Sequence, residues 1–86
     1  MEKRIGAAII IVQDKTSIPE FNAIVNAHSN IVIGRPGIPL RDRQLNIISL
    51  VLEGSSNEIN SLTGKLGRLK GMHVKSVLTK ISIENE

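Results

Sequence analysis

Residues 5–12 read Ile-Gly-Ala-Ala-Ile-Ile-Ile-Val, an unbroken run without one polar side chain. Successive side chains of a strand point to opposite faces, so a half-solvated strand alternates apolar with polar positions. A continuous apolar run is instead the pattern of a strand covered on both sides. The run is too short to cross a bilayer, which takes about 20 apolar residues in a helix. It leads into Gln13-Asp14-Lys15 without the small-residue pattern of a signal-peptide cleavage site. Residues 4–12 are therefore read as a buried first strand, and the chain as neither secreted nor membrane-bound.

A chain of 86 residues has room for one core and one domain, taken here as residues 1–86. Its 41% hydrophobic and 22% charged residues are ordinary for a globular domain and not for a disordered one. Domains of this size bury only about 60% of the surface their unfolded chain exposes. With no cysteine to form a disulfide staple, association with further copies is a natural remedy. The lack of cysteine also excludes thiolate metal sites and cysteine nucleophiles, and fits a reducing compartment, so the cytoplasm is expected. The formal charge of +3 is spread among acids and implies no nucleic-acid partner by itself.

Asp14-Lys15-Thr16-Ser17 ends the run, and Ser17 with Glu20 has capping-box spacing, with Pro19 tolerated in the first turn. Ile18, Phe21, Ile24, Val25 and His28 then fall along one helical stripe. Ile31-Val32-Ile33 begins a second strand, which Pro36, Gly37 and Pro39 confine to an edge or an irregular position. Arg41-Asp42-Arg43-Gln44 forms a polar turn. Residues 45–52 give a third strand with Ile47 and Val51 on one face and Ile48, Leu50 and Leu52 on the other. A second capping box, Ser55 with Glu58, opens a helix carrying Ile59, Leu62, Leu66 and Leu69, which Gly71 is placed to end. Residues 74–81 mix β-branched residues with Lys75, Thr79 and Lys80, as an edge strand does, and residues 84–86 are expected to fray. The order βαββαβ is the split βαβ plan: an α+β, ferredoxin-like sandwich of a four-stranded antiparallel sheet with two helices on one face.

In that plan the first and third strands are central, and two helices cover only one face of the sheet. Both strands are apolar on both sides. Whichever of Ile5, Ala7, Ile9, Ile11 or Ala8, Ile10, Val12 meets the helices, the other set faces water in a monomer and marks an interaction surface. At about 25 cal/mol per Å² of apolar surface, covering it amounts to several kcal/mol before association costs. A homo-oligomer, dimer or tetramer, formed through this sheet face is expected.

Three segments carry a family resemblance: Arg35-x-Gly37-x-Pro39-x-Arg41, then Ile47-Ile48-x-Leu50-Val51-Leu52, then Leu62-x-Gly64-Lys65-Leu66-Gly67 leading to Gly71-x-x-Val74-Lys75. In these the chain resembles the iron-only hydrogenase system regulator family. The resemblance implies an ACT-like domain, similar to the C-terminal domain of nickel-responsive repressors, with a regulatory role and with small effectors bound between paired subunits. Two departures matter. ACT amino-acid sites use a glycine after the first strand, where this chain has Asp14-Lys15-Thr16-Ser17. The nickel-repressor site uses several histidines and a cysteine, whereas only His28 and His73 are present here. The first strand starts within a few residues of Met1, so any transcriptional effect is expected to need a partner to contact DNA.

Arg35, Arg41 and Arg43 cluster around the hairpin at Gly37, and guanidinium groups on a constrained loop suit carboxylate or phosphate oxygens. The competing reading is a solvated tip whose charges deter edge-to-edge aggregation. Thr16 and Ser17 lie where free backbone N–H groups at a helix start can meet an anion, or where Ser17 caps its own helix. Gly64-Lys65 lacks the earlier glycine and following Ser or Thr of a phosphate loop. Gly64 and Gly67 are read instead as permitting close approach of the helix to a strand or a neighbour. His28 and His73 do not form a metal-binding spacing. No metal, cofactor or catalytic residue is expected.

The sequence thus points to a binding module for a small effector or partner protein, and not to an enzyme. A purely structural oligomerisation domain and a metal-responsive or nucleic-acid-binding regulator are the alternatives. RNA binding would need aromatic platforms on the sheet, and the single phenylalanine is assigned to a helix. An acylphosphatase-like enzyme would need more chemistry than Lys15 offers after the first strand.

Overall fold

The computed structural model describes residues 3–35, 37–40 and 45–83. Pro36, the 41–44 turn and residues 84–86 therefore lie outside the described residues. The elements run β1 (Lys3–Val12), α1 (Ile18–Ala27), β2 (Val32–Gly34), β3 (Gly37–Leu40), β4 (Leu45–Gly54), α2 (Ser56–Gly67) and β5 (Met72–Ile83). Short 3₁₀ turns precede α1 at Lys15–Ser17 and β2 at Ser29–Ile31.

The sheet is antiparallel, in the order β2-β4-β1-β5, with β3 continuing along β4 beside β2. The second strand of the βαββαβ plan is thus in two pieces. β2 ends at Gly34, paired with Val51, and β3 begins at Gly37, paired with Ile48. Both pieces lie on an edge, and among the described residues each pairs with β4 alone. The two apolar strands β1 and β4 occupy the centre, as expected.

One face of this sheet carries the core. Ala8, Ile10 and Val12 of β1, Leu50 and Leu52 of β4, and Met72 of β5 are buried against Phe21 and Val25 of α1 and Ile59, Leu62 and Leu66 of α2. The registers explain why these residues meet: Ile10 lies between Ile48 and Val74, and Val12 between Asn46 and Met72. The α2 helix lies close on β1 at Gly6, where an added Cβ would stand 3.3 Å from Ile59 Cδ1.

The helix starts differ. At α2 the capping box is complete: Ser55 Oγ accepts from the Glu58 N–H at 3.1 Å, and Glu58 Oε1 accepts from the Ser55 N–H at 2.9 Å. The bond from the Ser55 backbone, then that from its side chain, hold the Glu58 carboxyl below its ordinary pKa. At α1 no such box forms, although Ser17 is the cap residue. Asp14 instead caps the preceding 3₁₀ turn through Thr16 N at 2.9 Å, and the Ser17 hydroxyl donates to Lys70 O at 2.8 Å. Local spacing yields there to a partner far along the chain.

Two expectations about glycines also change. The α2 helix ends at Gly67, and Gly71 lies in the following turn with φ +72°. Its Cβ would stand 2.4 Å from Asp14 Cβ and 2.8 Å from Asp14 N. Among the described residues, the helix's own backbone aside, nothing stands within 4 Å of a Cβ added at Gly64 or Gly67, so no strand comes close there, and approach to a neighbour stays an expectation.

Candidate functional site

Among the described residues no helix lies on the second face of the sheet. The registers set out its rows: Val51-Ala7-Val77, Ser49-Ile9-Lys75 and Ile47-Ile11-His73 across β4, β1 and β5. Ile33 joins from β2. Ile9 is 52% exposed, Ile33 57%, Val51 39% and Val77 64%. Four large apolar side chains on one sheet face form the patch that alternation in two doubly apolar strands demands. Lys75 and His73 lie along its β5 border, and Glu53, opposite Ile5 in the β1–β4 ladder, at one end.

The turn between β1 and α1, which holds Thr16 and Ser17, is tied into the fold. Asp14 Oδ1 accepts from both the backbone N and the hydroxyl of Thr16. These two bonds, the side-chain one first, hold the Asp14 carboxyl below its ordinary pKa, with help from the Lys70 ammonium 3.9 Å away. Ser17 is buried with its hydroxyl on Lys70 O, and Gln13 N donates to Gly71 O at 2.7 Å. The polar groups here serve mainly to join the start of α1 to the α2–β5 turn.

Arg35 sits apart from that turn, after the end of β2. Its guanidinium lies 5.5 Å from the centroid of the Phe21 ring, and Nη2 donates to Asn22 Oδ1 at 3.0 Å. Both contacts hold it against α1. Gly37 begins β3, beyond the break; Arg41 and Arg43 lie outside the described residues. Of the six residues expected to bind an effector, Thr16 and Ser17 share one turn, and Arg35 joins a different constellation on α1. The residues that sequence reasoning missed are Asn22, Asn26 and Ser29, which line or brace the space beside Arg35. For Asn22 and Asn26 the only sequence signal was a polar position off the apolar stripe of α1; Ser29, in the 3₁₀ turn after it, had none.

The histidines are employed separately. His28 Nδ1 donates to Ile24 O at 2.9 Å at the end of α1, and His73 Nε2 donates to Gln13 Oε1 at 2.7 Å. Among the described residues no three His, Asp or Glu side chains gather as a metal site. Among them, too, no helix is long and apolar enough to cross a membrane.

The family model described as "TM1266-like: Iron-only hydrogenase system regulator, putative" matches residues 4–76. The structure of the uncharacterized protein TM1266 from Thermotoga maritima superposes with a TM-score of 0.85 at 34% identity, covering 92% of this chain and all (100%) of that one. The solution structure of the C-terminal domain of the MgtC protein from Mycobacterium tuberculosis gives 0.68 at 13% identity, covering 90% and 88% of the two chains. A formyltetrahydrofolate deformylase from Pseudomonas putida KT2440 gives 0.52 at 11% identity, with 87% of this chain matched to 28% of that one. The last two likenesses concern the fold, which is the ACT-like, ferredoxin-like one. No curated protein sequence matches.

Proposed function

Because this chain belongs to the TM1266-like family, we propose that it is a regulatory module of an iron-only hydrogenase system, a binding protein and not a catalyst. Its copies associate through the open sheet face, and a small effector or partner protein biases that association. One observation carries the reading: the two central strands present Ile9 and Val51 to solvent, with Val77 of β5 and Ile33 of β2 beside them. Fully burying side chains of this kind contributes about 1.5–3 kcal/mol each. A second copy bearing the same face supplies matching apolar surface, and two copies related by a twofold axis close the patch without leaving another open.

Sedimentation of the full chain tests this. The expected result is a dimer or tetramer, converted to single chains by Val77→Glu, which sets a charge in the face without touching the core. A single 9.4-kDa species at about 1 mM, where association stronger than about 4 kcal/mol would show, overturns the proposal.

A further inference from the structure

Between the C-terminal half of α1 and β2 lies an open groove of about 220 Å³. A water occupies about 30 Å³ of liquid, so the groove takes a molecule of a few heavy atoms, smaller than the drug-sized ligands of typical pockets. Val25, Val32 and Ile33 give it apolar walls; Asn26, Ser29 and Arg35 are its polar lining. Asn26 and Ser29 are exposed along its rim.

Arg35 is held in advance by the Phe21 ring and by Asn22. A guanidinium has five N–H donors, and among the described residues the Asn22 bond is its one hydrogen bond and no carboxylate pairs with it. A preplaced guanidinium with free donors selects a planar anion that it can grip with two parallel bonds. The apolar walls select an aliphatic body. Among the described residues no acidic side chain lines the groove, which favours a ligand without an ammonium group.

We propose that this groove binds a short, branched aliphatic monocarboxylate, with Arg35 gripping the carboxylate and Val25, Val32 and Ile33 enclosing the tail. The inference rests on the regulatory reading in taking this ligand as the effector. Ile33 supports the link, because it both lines the groove and stands on the open sheet face. A ligand there touches a residue of the proposed subunit contact.

Amide NMR shifts of the full chain test the proposal, with 3-methylbutanoate, its amide 3-methylbutanamide and inorganic phosphate as probes. Saturable shifts are expected at Asn26, Ser29, Gly34 and Arg35 with the carboxylate alone. Losing a charge-assisted bond in Arg35→Gln weakens binding roughly 10- to 100-fold, and Arg35→Lys restores part of it. Asn26→Phe, at an exposed position of the lining, fills the groove and abolishes binding while leaving the remaining spectrum folded, which controls for any disturbance from the loss of Arg35 packing. Equal shifts with the amide, shifts with phosphate as strong, no shifts at all, or undiminished binding by a folded Arg35→Gln or Asn26→Phe chain overturn the assignment. Sedimentation of the same samples separates the two ideas. An oligomer with a silent groove removes the ligand and leaves the module, whereas a single chain that binds the carboxylate removes the oligomeric module and leaves the groove.

Discussion

The two faces of β1 are nearly the same in composition and opposite in circumstance. Ala8, Ile10 and Val12 are at most 1% exposed beneath the helices, while Ile9, on the other side of the same strand, is 52% exposed. What a strand residue contributes is decided by what is laid over it, and α1 and α2 are laid over one side only. The covered face should therefore govern whether the chain folds, and the open one what it associates with.

The sharpest way to break this contrast is to remove volume from each side. Leu50→Ala, beneath the helices, is expected to cost about 2–5 kcal/mol, a large share of the roughly 5–15 kcal/mol that holds a domain together. Val77→Ala, on the open side, should change the folding of a single chain by no more than about 0.5 kcal/mol while weakening association. Urea denaturation and sedimentation on both variants check this, and equal losses of folding stability would erase the distinction.

Gly71→Ala comes next. It forces a left-handed residue, at about 1–3 kcal/mol, and drives a Cβ against the Asp14 backbone. It should loosen the corner where α1 meets the α2–β5 turn, seen as faster amide exchange around Gln13–Ser17, with the open face unaltered.

Acid gives a smaller effect on the same side. Asp14 and Glu58, at the starts of the two helices, have folded pKa values below their ordinary 3.8 and 4.5. The unfolded chain therefore takes up their protons first. Their contribution is present above those ordinary values and is lost as pH falls through the lowered folded ones. Urea midpoints should decline below about pH 4.5, and Asp14→Asn and Glu58→Gln together should flatten that decline.

The smallest expected change has the opposite sign. Gly64 is exposed with open space around it, so Gly64→Ala should stabilise the chain by about 0.5–1 kcal/mol through helix propensity. A loss of association in this variant would show that α2, too, meets a neighbour.

The element order, the central places of β1 and β4 and the Ser55–Glu58 box were legible because each depends on neighbours in sequence or on strand alternation. The Ser17–Glu20 box was misleading because the Ser17 hydroxyl finds Lys70 O, 53 positions away. Which apolar row of β1 meets the helices was not legible, since isoleucine and alanine occur in both. Of the hairpin arginines only Arg35 is among the described residues, and its contacts with Phe21 and Asn22 depend on where α1 lies, which the sequence did not disclose. Nor was the groove legible: it exists only where Val25, Asn26 and Ser29 come beside Gly34 and Arg35, and no periodicity in the chain records that approach.

The central place of β1 also bears on how the molecule comes into being. Its ladder partners, β4 and β5, begin at Leu45 and Met72, so both contacts close long stretches of chain before they yield any stabilisation. During synthesis, at about 5–20 residues per second, β1 emerges first and waits unpaired on one edge until β5 arrives. This domain should therefore acquire its structure late and cooperatively, with its greasiest segment shielded in the meantime by whatever binds nascent chains.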